Sequence, residues 1–152
     1  MQVRDLMSRG VVTVGPSDSC QEAVARMHQA RVRHLPVVNR EGGLVGVVTD
    51  RDLRHHLFSP RVFKELGATS LDILLKAVPV AEIMSTPVVS VDADEELGEA
   101  ARTMLEDKVG SLPVVERGRV VGILTETDLL RQICRADAEC SPGMAEIVVS
   151  YP

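Results

Sequence analysis

The feature that most constrains this chain is an internal repeat, because residues 84–129 restate residues 7–53 in the same order. The matching landmarks are Met7 and Met84, Leu35–Val38 and Leu112–Val115, and the Thr-x-x-Asp motifs ending at Asp52 and Asp128. The offset is 77 residues through the Leu-Pro-Val-Val run and falls to 76 in the turn after it, where surface turns tolerate a length change. A repeat of this length is a whole small α/β unit. Two units predict a pseudo-twofold pair with a ligand cleft between them.

Each copy predicts the element order β-α-β-β-α. A β-branched run opens it, at residues 11–14 and again at 88–91. Apolar residues at helical spacing follow, from Cys20 to Met27 and from Leu97 to Met104. Two short strands around a Gly-containing turn then predict a hairpin, and a second helix begins at the Thr-x-x-Asp motif. We therefore expect an α+β fold in which helices cover one face of the sheet in each repeat.

The repeats divide the chain into four parts. We assign residues 1–58 to repeat 1, 59–79 to a linker, 80–135 to repeat 2 and 136–152 to a C-terminal tail. Within the linker, residues 69–76 predict a short capped helix that ends before Pro79. Its expected role is to join the repeats and pack leucines on the core, and a contact with a partner subunit is the alternative. Each repeat has only about 50 residues, so the two should depend on each other for stability.

Composition argues against several classes of partner. The formal net charge is −5, and only 2% of the residues are aromatic. Nucleic-acid affinity depends on neutralised phosphates and on stacking, so neither property favours a nucleic-acid partner. Three cysteines do not make a disulfide framework. Because neither a signal pattern nor an apolar run of membrane-spanning length occurs, we expect a cytoplasmic protein without a membrane partner.

The doubled pattern MSxxVVxV…LPVV…GxxTxxD resembles a tandem pair of CBS domains, the cystathionine β-synthase type regulatory modules, of the stand-alone prokaryotic kind. The resemblance covers nearly the whole chain apart from the linker and the tail. It implies a disc-like intramolecular pair that is often dimerised and binds adenine nucleotides in its clefts.

For this chain, the resemblance implies a homodimeric sensor. The sensor would couple AMP, ADP or ATP occupancy to the conformation of its dimer or of a regulated protein. No cofactor is obligatory, and S-adenosylmethionine and NAD are secondary candidates for the ligand. A ligand-independent dimerisation or interaction module is the alternative function.

The Thr-x-x-Asp motif has two interpretations. It can be a capping box, in which Thr49 is the N-cap and Asp52 reaches back to the Thr49 amide. It can also be a ligand site, because a helix N-terminus attracts anions and a carboxylate there can accept hydrogen bonds from a ribose diol. Asp has a shorter arm than the usual Glu or Gln, which favours the ligand interpretation slightly. The resemblance implies that Asp52 and Asp128 take the ribose hydroxyls and that Thr49 and Thr125 lie near the phosphate or ribose.

The residues just before the two Leu-Pro-Val-Val runs distinguish the predicted sites. The first copy has Arg33-His34 where the second has glycine and serine, and it has Arg51 where the second has threonine. The resemblance implies that basic residues here reach the phosphates. Arg33 suits this role by its planar donor fork, and His34 adds a donor whose charge varies near neutral pH. We predict that the Asp52 cleft is the better nucleotide site. Solvated surface charge is the alternative for these basic residues.

By the same resemblance, adenine would lie against aliphatic residues of the opposite repeat. These are Pro87, Val89 and Val109 for the first site, and Gly10, Val12 and Val32 for the second. A place in the core is the alternative for each valine. The adjacent His55 and His56 diverge by roughly 100° on a helix and cannot chelate one metal ion. Since the chain also lacks a nucleophile elbow and a P-loop, we expect no enzymatic activity.

Overall fold

The computed structural model describes residues 1–57 and 71–140, with side chains as far as residue 137. Within these residues the helices are α1 (Val3–Leu6), α2 (Cys20–Ala30), α3 (Asp50–Leu57), α4 (Leu71–Ala77), α5 (Leu97–Asp107) and α6 (Glu126–Cys140). The strands are β1 (His34–Val38), β2 (Leu44–Thr49), β3 (Ser111–Glu116) and β4 (Arg119–Thr125), and a 3-10 turn spans Val80–Glu82. Each hairpin is antiparallel, β1 with β2 and β3 with β4. The predicted α+β class with two copies of one unit is confirmed.

The strand predicted at the start of each repeat is much shorter in the structure. Val14 alone forms a parallel bridge, to Val37, and its counterpart Val91 bridges in the same way in the second repeat. The Val14 amide donates to the Pro36 carbonyl at 3.1 Å and the Val38 amide donates to the Val14 carbonyl at 2.9 Å. The next bond of a parallel ladder would need an N–H on Pro36, which proline lacks. A proline in each Leu-Pro-Val-Val run therefore ends the ladder after one bridge.

Helix α2 shows why the helical spacing predicts its position. Cys20, Ala23 and Met27 lie on one face and are buried in the first core. The Ser19 hydroxyl accepts a hydrogen bond from the Glu22 amide at 3.1 Å, which caps the first turn. Helix α5 has no side-chain cap at its N-terminus, but it buries Ala100 and Met104 in a second core, so each repeat has a core of its own.

The segment that leads into each repeat packs on the other repeat. We call residues 1–8 and 78–85 the lead-in segments. In the first, Val3 is fully buried in the second core, and the Ser8 amide donates to the Ile123 carbonyl at 2.9 Å. In the second, Val80 is fully buried in the first core, and the Ser85 amide donates to the Val47 carbonyl at 2.8 Å. The two cores are therefore completed by exchanged segments.

Two strand glycines make room for these lead-in segments. A Cβ built on Gly122 would overlap the Met7 Sδ and lie 3.2 Å from the Ser8 carbonyl oxygen. A Cβ on Gly46 would lie 2.6 Å from the Met84 Sδ. Both glycines belong to the repeated G-x-x-T motif, so this close packing of methionine on a strand occurs in both repeats.

Helix α4 is the described part of the predicted linker helix. Leu74 and Leu75 pack against the first core, as expected of a segment that joins the repeats, whereas Ile73 is largely exposed. The predicted capping residues at 69 and 70 lie outside the described residues, as do 59–68 of the linker and 141–152 of the tail.

Candidate functional site

A cavity of about 580 Å³ lies between the two repeats, a size typical of small-molecule sites. It is lined by all eight residues predicted for the first site, which are Arg33, His34, Thr49, Arg51, Asp52, Pro87, Val89 and Val109. The first five belong to repeat 1 and the last three to repeat 2. Binding in this cavity would therefore contact both repeats at once.

Thr49 and Asp52 form a closed capping box at the start of α3. The Asp52 Oδ2 accepts hydrogen bonds from the Thr49 amide and hydroxyl, both at 2.9 Å, and the Asp52 amide donates to the Thr49 hydroxyl at 3.0 Å. The shorter arm of aspartate therefore does not prevent the capping box from closing. The other oxygen, Oδ1, accepts a long hydrogen bond, at 3.5 Å, from the hydroxyl of Ser85 in the second lead-in segment. Because a carboxylate has about four acceptor positions, capping with Oδ2 leaves Oδ1 available for ligand hydroxyls.

Basic side chains from both repeats line the cavity. Arg33, Arg51 and Lys108 form no ion pair among residues 1–57 and 71–137, whereas the guanidinium of Arg54 pairs with Asp50. All three side chains are exposed, so each is a solvated surface charge and also lines the cavity. A cleft lined by unpaired cations attracts anions.

His34 is half-buried at the start of β1. Burial lowers the pKa of its imidazole below the usual value, and the positive charge of Arg33 lowers that pKa further. The carboxylates of Asp50, Glu126 and Asp52 raise the same pKa by smaller amounts. A Cβ built on Gly110 would lie 3.4 Å from the His34 Nε2 and 3.5 Å from the Glu126 Oε2, so this glycine lets the two side chains approach each other.

The aliphatic wall comes from repeat 2. Pro87, Val88 and Val89 follow the second lead-in segment, and Val109 follows helix α5. Val89 and Val109 are also partly buried against the second core. Each of these valines therefore contacts the core and also lines the cavity, and the contact with adenine stays a prediction.

The residues predicted for the second site do not line this cavity. Thr125 and Asp128 form the same capping box, with the Thr125 amide 2.9 Å from the Asp128 Oδ2. Asp128 is buried, and its Oδ1 lies 3.8 Å from the Arg131 Nη1 rather than near a serine. Gly10 is exposed and Val12 packs partly on the first core.

Val32, the remaining residue of the second set, lines a different depression. This is an apolar groove of about 340 Å³ that Met27, Leu53 and Leu75 also line. Binding at the second cleft therefore stays a prediction.

Nine residues that line the cavity were not among the predicted site residues, and Lys108, Glu126, Ser85 and Arg54 are four of them. Two of them had a signal, because Lys108 directly precedes the predicted Val109 and Ser85 directly follows the repeated Met84. Glu126 occupies the position that corresponds to Asp50 in the first repeat, one residue after the threonine of the motif.

Comparison with known proteins identifies the family of the two repeats. The CBS domain family matches residues 3–59 and 80–135, a doubled match over most of the chain. This chain belongs to the CBS domain family. The tandem pair expected from the doubled pattern is thereby confirmed.

Two relatives of this CBS pair are matched over most of their length, and a third over only part of its length. YhcV of Bacillus subtilis is 35% identical over 127 residues, covering 84% of this chain and 81% of YhcV. A CBS domain-containing protein of Dictyostelium discoideum is 34% identical over 129 residues, covering 84% and 88% of the two chains. Protein MJ1404 of Methanocaldococcus jannaschii is 34% identical over 133 residues, but this chain spans only 32% of its length.

Solved structures show the same fold. The CBS domain pair of protein MJ0100, in complex with 5′-methylthioadenosine and S-adenosyl-L-methionine, superposes with a TM-score of 0.72 at 28% identity, covering 90% of this chain and 98% of that one. Hypoxic Response Protein I, with two coordinated zinc ions, gives a TM-score of 0.68 at 29% identity, covering 86% and 98%.

Two further observations concern the described part of this CBS pair. It contains no group of three or more His, Cys, Asp or Glu residues arranged to hold a metal ion. None of its helices combines the length and the apolar character needed to cross a membrane.

Proposed function

We propose that this CBS pair is a regulatory module that binds an adenine nucleotide in the cavity between its repeats. Occupancy would be coupled to the conformation of a homodimer or of a regulated partner protein. The observation that carries the proposal is the composition of one cavity, where a carboxylate, basic groups and an aliphatic wall meet. The adenosine compounds bound by the MJ0100 pair support an adenosine ligand.

Each part of a nucleotide has a chemically matching group in the cavity. The ribose hydroxyls donate to Asp52 Oδ1, the oxygen that the capping box does not use. The phosphates take the guanidinium groups of Arg33 and Arg51, whose planar donor forks suit phosphate oxygens. The adenine ring lies against the aliphatic wall of repeat 2.

Coupling to conformation follows from the position of the ligand. A nucleotide that contacts both repeats stabilises the arrangement in which both line the cavity. It can shift the equilibrium between two arrangements only by its difference in affinity for them. The response of a dimer or partner is then a population shift rather than a chemical step.

The alternative, an interaction module that needs no ligand, rests on the closed capping boxes. Because Thr49 and Asp52 satisfy each other, the motif has a structural role without any nucleotide. The same is true of Thr125 and Asp128. A decisive experiment must therefore separate the capping role of these aspartates from a ligand role.

The matched variants Asp52→Ala and Asp128→Ala make this separation, because each removes a capping box but only Asp52 lines the cavity. Binding of AMP, ADP and ATP is measured by isothermal titration calorimetry, and stability by thermal unfolding. We expect Asp52→Ala to weaken binding about ten- to hundredfold, since a charge-assisted hydrogen bond contributes about 1.5–3 kcal/mol. Asp128→Ala should lower the unfolding temperature without that loss of affinity at the first site. If both variants bind the nucleotides as tightly as the wild type does, capping is the only role of these aspartates.

A ligand panel tests the proposal more broadly. The unfolding temperature is measured with AMP, ADP, ATP, NAD and S-adenosylmethionine. A ligand at about 100 times its Kd stabilises a protein by about 2.7 kcal/mol. A panel in which no nucleotide raises the unfolding temperature would contradict the proposed function and favour the interaction module.

A further inference from the structure

We infer that Lys108, which repeat 2 contributes to the cavity, contacts a ligand phosphate and makes the site select phosphorylated adenosine compounds over uncharged or cationic ones. The inference rests on the proposed function and adds to it the residue and the charge class of ligand. It also makes the phosphate, and not only the adenosine, a bridge between the repeats.

The backbone places Lys108 at the mouth of the cavity. It is the C-cap of α5 in the left-handed conformation, with φ 54° and ψ 42°, and its amide donates to the Met104 carbonyl. The helix ends there, and the chain continues directly into Val109 and Gly110 of the cavity wall. Arg31 has the same position in repeat 1, with φ 55° and ψ 42°, but it does not line the cavity.

The charges of the cavity favour an anion with several negative oxygens. Of the three carboxylates, Asp50 is paired with Arg54 and Asp52 shares one oxygen with Thr49. The third, Glu126, faces His34. The cations that form no ion pair within the described residues are Arg33, Arg51 and Lys108.

These three like charges around one cavity repel each other, and a phosphate group relieves the repulsion. At neutral pH a phosphate monoester carries a charge of about −1.5 to −2 on three acceptor oxygens. Adenosine brings no such charge. S-adenosylmethionine carries a sulfonium and an ammonium against one carboxylate, so its net charge is positive and adds to the repulsion. The cation set therefore discriminates by the sign of the ligand's charge, while Asp52 and the aliphatic wall recognise features that all these ligands share.

The experiment compares the affinities of adenosine, AMP, ADP and S-adenosylmethionine for the whole chain by calorimetry. Lys108→Ala should weaken AMP and ADP binding about ten- to hundredfold and leave adenosine binding unchanged. The same substitution should also raise the affinity for S-adenosylmethionine relative to the affinity for AMP. Lys108→Arg keeps the charge and should restore most of the nucleotide affinity.

Arg31→Ala is the matched control. It replaces a long basic residue in the same left-handed C-cap conformation, so it costs similar stability, but it should leave the affinities of the first site for all four compounds unchanged. Equal losses for adenosine and ADP in Lys108→Ala would show a structural role and overturn the inference. Unchanged ADP binding in Lys108→Ala would also overturn the inference, but it would not contradict the proposed function. Failure of the wild type to bind any of the four compounds would instead refute the proposed function itself.

Discussion

The charge of His34 in the cavity depends on its surroundings. Burial and Arg33 lower the pKa of its imidazole, so the free protein holds it neutral at pH 7. In the unfolded chain the pKa returns to about 6.5, and the unfolded state then binds the proton more readily. Stability therefore falls as the pH decreases through the window below about 6.5, and it recovers as the pH rises.

A phosphate next to His34 should reverse this preference. The anion favours the protonated imidazole, so binding raises the pKa and takes up a proton. We expect ADP affinity to increase as the pH is lowered from about 7.5 to 6.5, by at most tenfold per pH unit because one group takes up one proton. Calorimetry at several pH values measures the slope.

The control for this prediction is His34→Asn, which keeps a donor but does not titrate. Its ADP affinity should be nearly independent of pH above the second pKa of the phosphate, which is about 6. An identical slope in the wild type and the variant would assign the pH dependence to the ligand or to another group.

Cys20 gives a second prediction at the scale of the residue. It is fully buried, and burial, with a smaller effect of Glu82, raises the pKa of its thiol to about 11. Because the thiolate is the nucleophile, Cys20 should not react with iodoacetamide at pH 7.5 in the native state. The exposed Cys134 should react. Peptide mass spectrometry with and without denaturant measures both, and equal native labelling would contradict the packing of α2.

Among the elements, β4 depends on a glycine. Gly122→Ala would drive a Cβ into Met7 and toward the Ser8 carbonyl, which accepts a hydrogen bond from the Ile123 amide. We expect a loss of about 1–3 kcal/mol in the free energy of unfolding, the usual cost of overpacking. Denaturation followed by circular dichroism measures it.

Gly98→Ala is the matched control for that substitution. Gly98 lies in the first turn of α5, and a Cβ there would meet nothing within 4 Å. Alanine at this position should stabilise the chain by roughly 0.5–1 kcal/mol. If both glycines respond alike, the packing of Met7 on β4 is not what constrains Gly122.

The sequence predicts some of these elements well and others poorly, for physical reasons. Helical spacing from Cys20 to Met27 places α2 because the same face is buried throughout. The β-branched run at residues 11–14 misleads, since Pro36 on the neighbouring strand stops the ladder. The ends of α2 and α5 are also hard to predict from the sequence. Arg31 and Lys108 adopt the left-handed conformation there, in which glycine or asparagine is the usual residue.

The same distinction applies to the site. Arg33, Asp52 and their neighbours were predicted because the motif and the family resemblance point to them. Lys108 was not, since in the sequence it is only the last polar position of a helical pattern. Its place on the cavity depends on how repeat 2 packs against repeat 1, which local spacing does not encode.

The whole molecule should unfold as one unit, because each lead-in segment completes the core of the other repeat. Val3→Ala and Val80→Ala each remove buried methyl groups and should each cost about 2 kcal/mol. Both should shift one common transition in urea, whichever core is damaged. Leu105→Ala, at a residue that is 78% exposed, is the control. Two separate transitions, each sensitive to one variant, would show that the repeats unfold independently.

The exchanged lead-in segments also set an order for events during synthesis. The first core has all its described members once residue 84 has left the ribosome. Val3 precedes Leu124 in the chain, yet both are buried in the second core. At about 5–20 residues per second, Val3 waits on the order of 10 s for that partner. The first lead-in segment is thus translated before the first core is complete but reaches its native place only after it.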